Sequence, residues 1–259
     1  LNNGQEINIS EDKSEIIYQQ NGAEIIINDQ KLVLQEKKKG YAVNQLIVPF
    51  GKNSKVILSD GTVVWLNAGS RLSYPENFGN SNQRVVSLDG EGYFEVTRNT
   101  SKPFIVETRH SRIKVLGTSF NIKSYPDETI EETVLVKGSV SVGLIDSPAR
   151  DAVVLEPNQC AIITGTNKKY AVFKVNAEDY ISWIESIFIF HGEPLPSVLM
   201  RISRFYNIEI KWAPSVNLKR ISGKLDLKED YQKVLDALAL ITSGNYTEED
   251  KVFYFKVAE

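Results

Sequence analysis

Short apolar runs broken by turn-forming residues fill the chain from about Glu24 to Val175. Glu24–Ile27 and Lys31–Gln35 flank Asn28-Asp29-Gln30 as the arms of a hairpin would. Lys55–Leu58 leads into Asp60-Gly61, Val85–Leu88 into Asp89-Gly90, and Thr133–Val136 into Lys137-Gly138. Another β-rich run follows each pair at once: Thr62–Leu66, Gly92–Val96 and Ser139–Val142. Glycine accepts positive φ without steric cost, so all three pairs read as hairpin turns. Alternation in Ser119-Phe120-Asn121-Ile122-Lys123 predicts a strand with one wet face, and Gly117 before it a bulge or bend. Val63-Val64-Trp65-Leu66 is apolar on both faces and predicts a strand covered on both sides. Pro148 marks a surface loop from Gly143 to Ala152. A last β-unit, Ala152–Leu155 and Gln159–Thr164, surrounds Glu156-Pro157-Asn158, and Thr164 to Lys169 reads as a polar turn.

Beyond Val175 the period changes. Asn176 is placed to cap a short connecting helix through Trp183, and Ile187–Phe190 reads as a strand. Pro194 opens a helix whose Leu195, Val198, Leu199, Ile202 and Phe205 form an apolar stripe. Ile208-Glu209-Ile210-Lys211-Trp212 alternates as a strand should, and Ile221–Leu225 is another. Asp226 with Glu229 has the spacing of a capping box for a helix carrying Tyr231, Val234, Leu235, Leu238 and Ile241, with Gly244 at its end. Asn245–Thr247 and Val252–Lys256 close the chain as a hairpin. The expected fold class is mainly β with an α+β part. An all-β region of short strands and hairpins, a sandwich or irregular solenoid, occupies 1–175. A connector follows at 176–186, and a small βαβ-βαββ domain occupies 187–259.

Net charge is −3, so no basic field exists to hold nucleic acid or an anionic membrane. The apolar fraction of 42% is that of an ordinary core-forming protein. No run approaches the ~18 apolar residues of a membrane span, and no signal peptide is recognisable, so any membrane anchor is expected outside these residues. Cys160 is the single cysteine, which excludes an internal disulfide and a thiolate cluster. Among Ala161, Ile162 and Ile163 it reads as a buried small hydrophobe.

Candidate chemistry is thin. His110 sits at a hairpin tip beside Ser111, and His191 lies before Pro194; neither has a neighbour that completes a catalytic pair or a metal site. Glu91 and Glu95 share a strand face, but four residues separate their α-carbons by roughly 14 Å. Glycosidase carboxylates stand about 5–9.5 Å apart. Gly90-Glu91-Gly92 lacks the third glycine and the helix of a dinucleotide loop. Lys37-Lys38-Lys39 is a solvated basic run. Trp65, Tyr74, Tyr93 and Phe94 alternate with strand residues and read as core and hairpin aromatics; the competing reading is a carbohydrate-binding β module that stacks sugars on them. No catalytic residue and no cofactor is expected, and the chain reads as a binding protein rather than an enzyme.

One long series of motifs begins with Leu58-Ser59-Asp60-Gly61-Thr62, Trp65-Leu66-Asn67-Ala68-Gly69-Ser70, Tyr74-Pro75 and Phe78. Arg84–Leu88, Gly90–Val96, Pro103–Val106, Val115–Asn121 and Val134–Gly138 continue it. In this order, within a core of about 44–142, the series resembles the FecR family of anti-sigma regulators. Trp183, Phe190, Pro194-Leu195, Val198, Tyr206, Ile208, Gly223, Leu235 and Leu238 resemble the family's C-terminal domain, itself similar to the short N-terminal domain of secretins and TonB-dependent receptors. Asn158 and Ser186 stand where the family often has glycine.

The resemblance implies a periplasmic region that is anchored to the inner membrane by a helix absent from this chain. It implies two protein partners. One is the periplasmic signalling domain of a TonB-dependent outer-membrane receptor. The other is an extracytoplasmic-function sigma factor, reached through a cytoplasmic segment also absent here. The expected contact is an open strand edge near Ile208–Trp212 or Val252–Lys256, with Ile208, Ile210, Trp212, Phe253 and Phe255 as contact residues.

Overall fold

A computed structural model describes residues 7–9, 13–18, 24–28, 30–33, 43–79, 81–164 and 169–257. Asp29, residues 34–35 of the first hairpin, the Lys37-Lys38-Lys39 run and residues 165–168 of the polar turn lie outside the described residues. The chain divides into two compact units, Leu1–Glu178 and Asp179–Glu259.

Strands of the first unit are β1 (Lys13–Tyr18), β2 (Glu24–Ile27), β3 (Gln30–Val33), β4 (Val43–Ile47), β5 (Asn53–Ile57), β6 (Val63–Leu66), β7 (Arg71–Pro75) and β8 (Arg84–Glu95). They continue as β9 (Phe104–Glu107), β10 (Ser111–Val115), β11 (Ser119–Ser124), β12 (Ile130–Lys137), β13 (Val140–Leu144), β14 (Val153–Leu155), β15 (Gln159–Thr164) and β16 (Lys169–Lys174). One layer runs β3-β2-β1-β5-β6-β8-β11-β12-β15-β16 and the other β14-β13-β10-β9-β8-β7-β4. The layers share β8. Its first half pairs with β7 and, in parallel, with β9; its second half pairs with β6 and β11.

Alternation along β8 shows the change of layer. Arg84, Val86 and Leu88 are buried, with Ser87 and Asp89 exposed between them, whereas Gly90 to Phe94 are buried without a break. A sequence with period two gives way to one covered on both faces. The core draws on both layers: Val56, Val64, Phe94, Phe120 and Leu135 from one, Leu72, Val86, Phe104, Ile113 and Val140 from the other. Phe94 stacks on Phe120 with ring centroids 5.2 Å apart. Tyr74 meets Tyr18 edge-on across the layers and donates its hydroxyl to that of Tyr18 at 2.9 Å. Burial raises both phenols, Tyr18 to about 12 and Tyr74 well above its ordinary value.

The all-β first unit and the α+β second unit agree with the expected fold class. Four local readings are corrected. Asp60-Gly61 does turn a hairpin between β5 and β6. Asp89-Gly90 does not: the chain runs straight through as β8. Gly90 uses its positive φ of 111° to let β8 pass Ser70, whose atoms would stand 2.5–2.7 Å from an added Cβ. Nor do β12 and β13 pair around Lys137-Gly138; the chain crosses there from one layer to the other. β11 has no wet face, because Asn121 and Lys123 are buried among polar partners rather than solvated. Finally, the capping box expected at Asp226 and Glu229 is not formed. Asp226 accepts from the Lys228 N–H, Glu229 pairs with Lys233, and Asp230 caps the helix.

In the second unit, α1 (Ala177–Ile181) straddles the division and is followed by a 3-10 turn over Ser182–Glu185. Then come β17 (Ile187–Pro194), α2 (Leu195–Tyr206), β18 (Glu209–Trp212), β19 (Arg220–Asp226), α3 (Tyr231–Thr242), β20 (Gly244–Glu249) and β21 (Val252–Val257). β17 pairs antiparallel with β19. β21 lies between β18, its parallel neighbour, and β20. The α2 stripe of Leu195, Val198, Leu199 and Ile202 is buried, as are Val234, Leu235 and Leu238 of α3. Gly244 opens β20 rather than ending α3: Ser243 takes the left-handed position at φ 53°, and a Cβ on residue 244 would stand 2.6 Å from the Lys256 carbonyl.

Candidate protein-interaction site

The buried charged groups of the first unit are held by polar partners inside it. Glu91 is buried and accepts from Asn67 Nδ2 at 2.8 Å and Asn121 Nδ2 at 3.1 Å. Asn67 also fixes its own turn, its Oδ1 accepting from the Ala68 N–H. Glu95 is exposed and accepts from Tyr93 Oη at 3.2 Å, so the two carboxylates share no cleft. Glu131, equally buried, accepts from the hydroxyls of Ser111, Thr108 at 2.8 Å and Ser124 at 2.7 Å. Arg84 has a side chain 2% exposed; Nη1 meets Asp60 Oδ2 at 2.6 Å and the Thr97 carbonyl at 2.9 Å. These arrangements tie β-turns to the core. None presents a nucleophile to solvent.

His110 sits in the turn between β9 and β10, its N–H donating to Thr108 Oγ1. His191 is exposed on β17, with Nε2 2.7 Å from Asp179 Oδ2. Among the described residues no group of three or more His, Cys, Asp or Glu could hold a metal ion. Cys160 is fully buried, and burial pushes its thiol upward, away from thiolate chemistry. Tyr74, Tyr93 and Phe94 are buried, and Trp65 is half-buried against Tyr93 at 5.3 Å. Sugar stacking on these rings therefore has little open surface to use.

The second unit holds the residues expected to meet a partner. α2 ends at Asn207, left-handed at φ 53°, and the chain turns at once into β18. Ser203 ties that turn, its Oγ donating to the Ile208 carbonyl while its carbonyl accepts from the Ile208 N–H. Parallel register sets Ile210 opposite Phe253 and Trp212 opposite Phe255. Ile210, Phe253 and Phe255 are core residues, 7%, 3% and 1% exposed. Ile208 and Trp212 are half-buried, and the Trp212 indole N–H donates to Asn217 Oδ1 at 3.1 Å. The expected edge at Val252–Lys256 is corrected, since β21 is flanked on both sides. β18 pairs on one side only among the described strands. Phe253 and Phe255 thus support that edge from behind and do not line it. Their alternation with exposed Tyr254 and Lys256 is equally that of an edge strand, which is why sequence could not separate the two positions.

Known proteins place this architecture. Residues 45–141, β4 into β13, match the family described as FecR protein, and residues 187–255, nearly all of β17–β21, match the FecR C-terminal domain. Two crystal structures of a candidate anti-sigma factor from Parabacteroides distasonis, at 2.50 Å and 1.65 Å, are 33% identical in sequence. Each superposes with a TM-score of 0.78, covering 84% and 83% of this chain and 100% of the other. This chain belongs to the FecR family. A search of curated proteins found no match.

Both positions at which this FecR-family chain has a non-glycine residue in place of the glycine often found there adopt the left-handed conformation, Asn158 at φ 64° and Ser186 at φ 63°. Asn158 uses its side chain as well, Oδ1 accepting from the Ala177 N–H at 3.2 Å. Ser186 closes the 3-10 turn, its N–H bonding the Trp183 carbonyl at 2.9 Å and its carbonyl accepting from Leu227. Trp183 is buried behind that turn. No helix among the described residues is long and apolar enough to cross a membrane.

Proposed function

We propose that this chain is the periplasmic sensor region of a transmembrane anti-sigma regulator, with residues 1–175 as the FecR-type domain, 176–186 as connector and 187–259 as the receptor-facing domain. It binds the signalling domain of a TonB-dependent outer-membrane receptor. The resulting change in binding, or regulated proteolysis, releases an extracytoplasmic-function sigma factor held by a cytoplasmic segment outside this chain. Family membership supports the regulatory reading, and the match of 187–255 to the family's C-terminal domain points to that part as the contact. The observation that carries the site is the one-sided β18, with Trp212 half-buried at its end. An incoming strand at such an edge gains main-chain hydrogen bonds, and flanking side chains give specificity.

Calorimetric titration of the chain with the isolated signalling domain of the neighbouring receptor tests the reading. Micromolar binding that Trp212→Ala weakens about tenfold is the expected result. No heat from two folded partners sinks the receptor reading; unchanged affinity in the variant moves the contact away from β18.

A further inference from the structure

Each outer strand of the second unit carries different chemistry. β20 is acidic, with Glu248 and Glu249 exposed and Asp250 following. On β18, Glu209 and Lys211 neutralise each other at 3.1 Å. β17 is likewise internally paired, His191 with Asp179 and Glu193 with Arg201 at 3.3 Å. β19 differs from all three. Arg220 and Lys224 are exposed along it, Lys219 is exposed just before it, and none of the three has an acidic partner among the described residues. Asp226, at the far end, turns its Oδ1 back to the Lys228 N–H.

Its backbone is open as well. Among the described strands β19 pairs only with β17, so alternate N–H and C=O groups point away from that ladder. Ser222, Gly223 and Lys224 are exposed in succession, which wets both faces of the strand at its centre. Gly223 has no positive φ, and a Cβ there would meet nothing within 4 Å. Neither packing nor dihedral strain inside the chain calls for a glycine, which by itself weakens a strand. Its missing side chain leaves open space on the face where Ile221 and Leu225 are buried. On the opposite face Arg220 Nε donates to the Gly192 carbonyl at 2.7 Å and Ser222 Oγ accepts from the Gly192 N–H at 2.8 Å, which leaves the Arg220 Nη groups and the exposed Lys224 to meet a partner.

We propose that the outer edge of β19 docks an extended segment of a partner protein in which acidic and apolar residues alternate. The segment adds as a strand beside β19. One of its apolar side chains enters the gap at Gly223, and its carboxylates meet Arg220 and Lys224. This surface is separate from the β18 edge, so it stands or falls independently of the receptor reading.

A short, capped, fluorescent peptide alternating glutamate and leucine is the probe, titrated against the full chain by polarisation. Saturable binding is expected, weakened at least about tenfold by Arg220→Glu with Lys224→Glu and by added salt. The Cβ of Gly223→Val meets nothing within 4 Å, so the variant is expected to keep the circular dichroism spectrum while weakening the peptide to a similar degree. A peptide alternating lysine and leucine should bind far more weakly. Absence of saturable binding, equal affinity for the two peptides, or affinity unchanged in both variants overturns the proposal. Self-association of the chain in sedimentation, abolished by Glu248→Lys, would give the edge to a second copy and overturn it too.

Discussion

Asp60→Asn probes the strongest electrostatic commitment in the first unit. The Arg84 guanidinium is nearly excluded from solvent, and Asp60 is the acidic group that meets it, at 2.6 Å. Its other contacts are the carbonyls of Thr97 and Lys102 and the Phe104 ring 5.3 Å away, while Nη2 makes no hydrogen bond. Asparagine keeps the shape of Asp60 and an oxygen for the Thr62 N–H, but it removes the charge and sets an amide NH2 where Oδ2 accepted from Arg84 and from the Thr62 hydroxyl at 2.8 Å. Breaking a buried pair by neutralising one partner costs about 3–5 kcal/mol. The two carbonyls and the ring, which still face the cation, place this case near ~3 kcal/mol, or roughly 150-fold in the unfolding equilibrium. Native-state hydrogen exchange of β6 and β8 amides measures it, since both strands are central in the sheet and core strands exchange at or near the global free energy. Adding Arg84→Met removes the stranded cation and should restore about 1–2 kcal/mol. An Asp60→Asn effect below about tenfold, or a double variant as weak as the sum of its singles, would refute the reasoning.

Three further outcomes are expected. Replacing Gly90 with Ala combines a positive φ of 111° with contacts to Ser70 under 3 Å and should cost about 3 kcal/mol in a urea unfolding experiment; a cost below ~1 kcal/mol would mean that β8 and Ser70 separate easily. Ser186→Gly relieves a left-handed serine and should stabilise the second unit by roughly 0.5–1 kcal/mol after the entropy gained by the unfolded chain, read as a raised melting temperature; a lowered one contradicts the strain argument. Tyr18 is protonated more tightly when folded, at about 12, so its contribution is complete below pH ~10 and drains away as the pH rises towards 12. Urea midpoints measured across that window should fall less steeply for Tyr18→Phe than for the parent, and parallel curves would refute the assignment.

How far the sequence foretold the structure depended on whether a local pattern had one physical meaning or two. The α2 stripe from Leu195 to Ile202 admits only a helix with one buried face, and it is one. Asp60-Gly61 and Asp89-Gly90 look alike in sequence, because both need a glycine with positive φ. Only the approach of Ser70, twenty residues away, makes the second a point of passage instead of a turn. Alternation in β11 signalled a wet face for the same reason. Asn121 is polar, but its partner Glu91 is thirty residues distant and buried with it. In the candidate site, Trp212 was legible as a residue at a strand end, whereas Phe253 and Phe255 were not separable from edge residues until the pairing of β21 on both sides was known. The cations of β19, which have no acidic partner among the described residues, escaped notice for a related reason: charge neutralisation is a property of neighbours, and Lys211 and Lys224 are the same residue in sequence.

β8 has a consequence for how such a domain can change over generations. Its twelve residues are in register with β7 and β9 at one end and β6 and β11 at the other. Inserting or deleting one residue within it inverts every side chain beyond the lesion. A lesion after Leu88 would turn Phe94 to the face now held by Glu91 and Tyr93, and could keep the pairing of one end of β8 only by losing that of the other. A length change between β13 and β14, where a 3-10 turn bridges the strands, disturbs neither layer's register. Length variation among working copies of this domain should therefore collect at loops of that kind and stop short at β8, which acts as the reading frame of the fold.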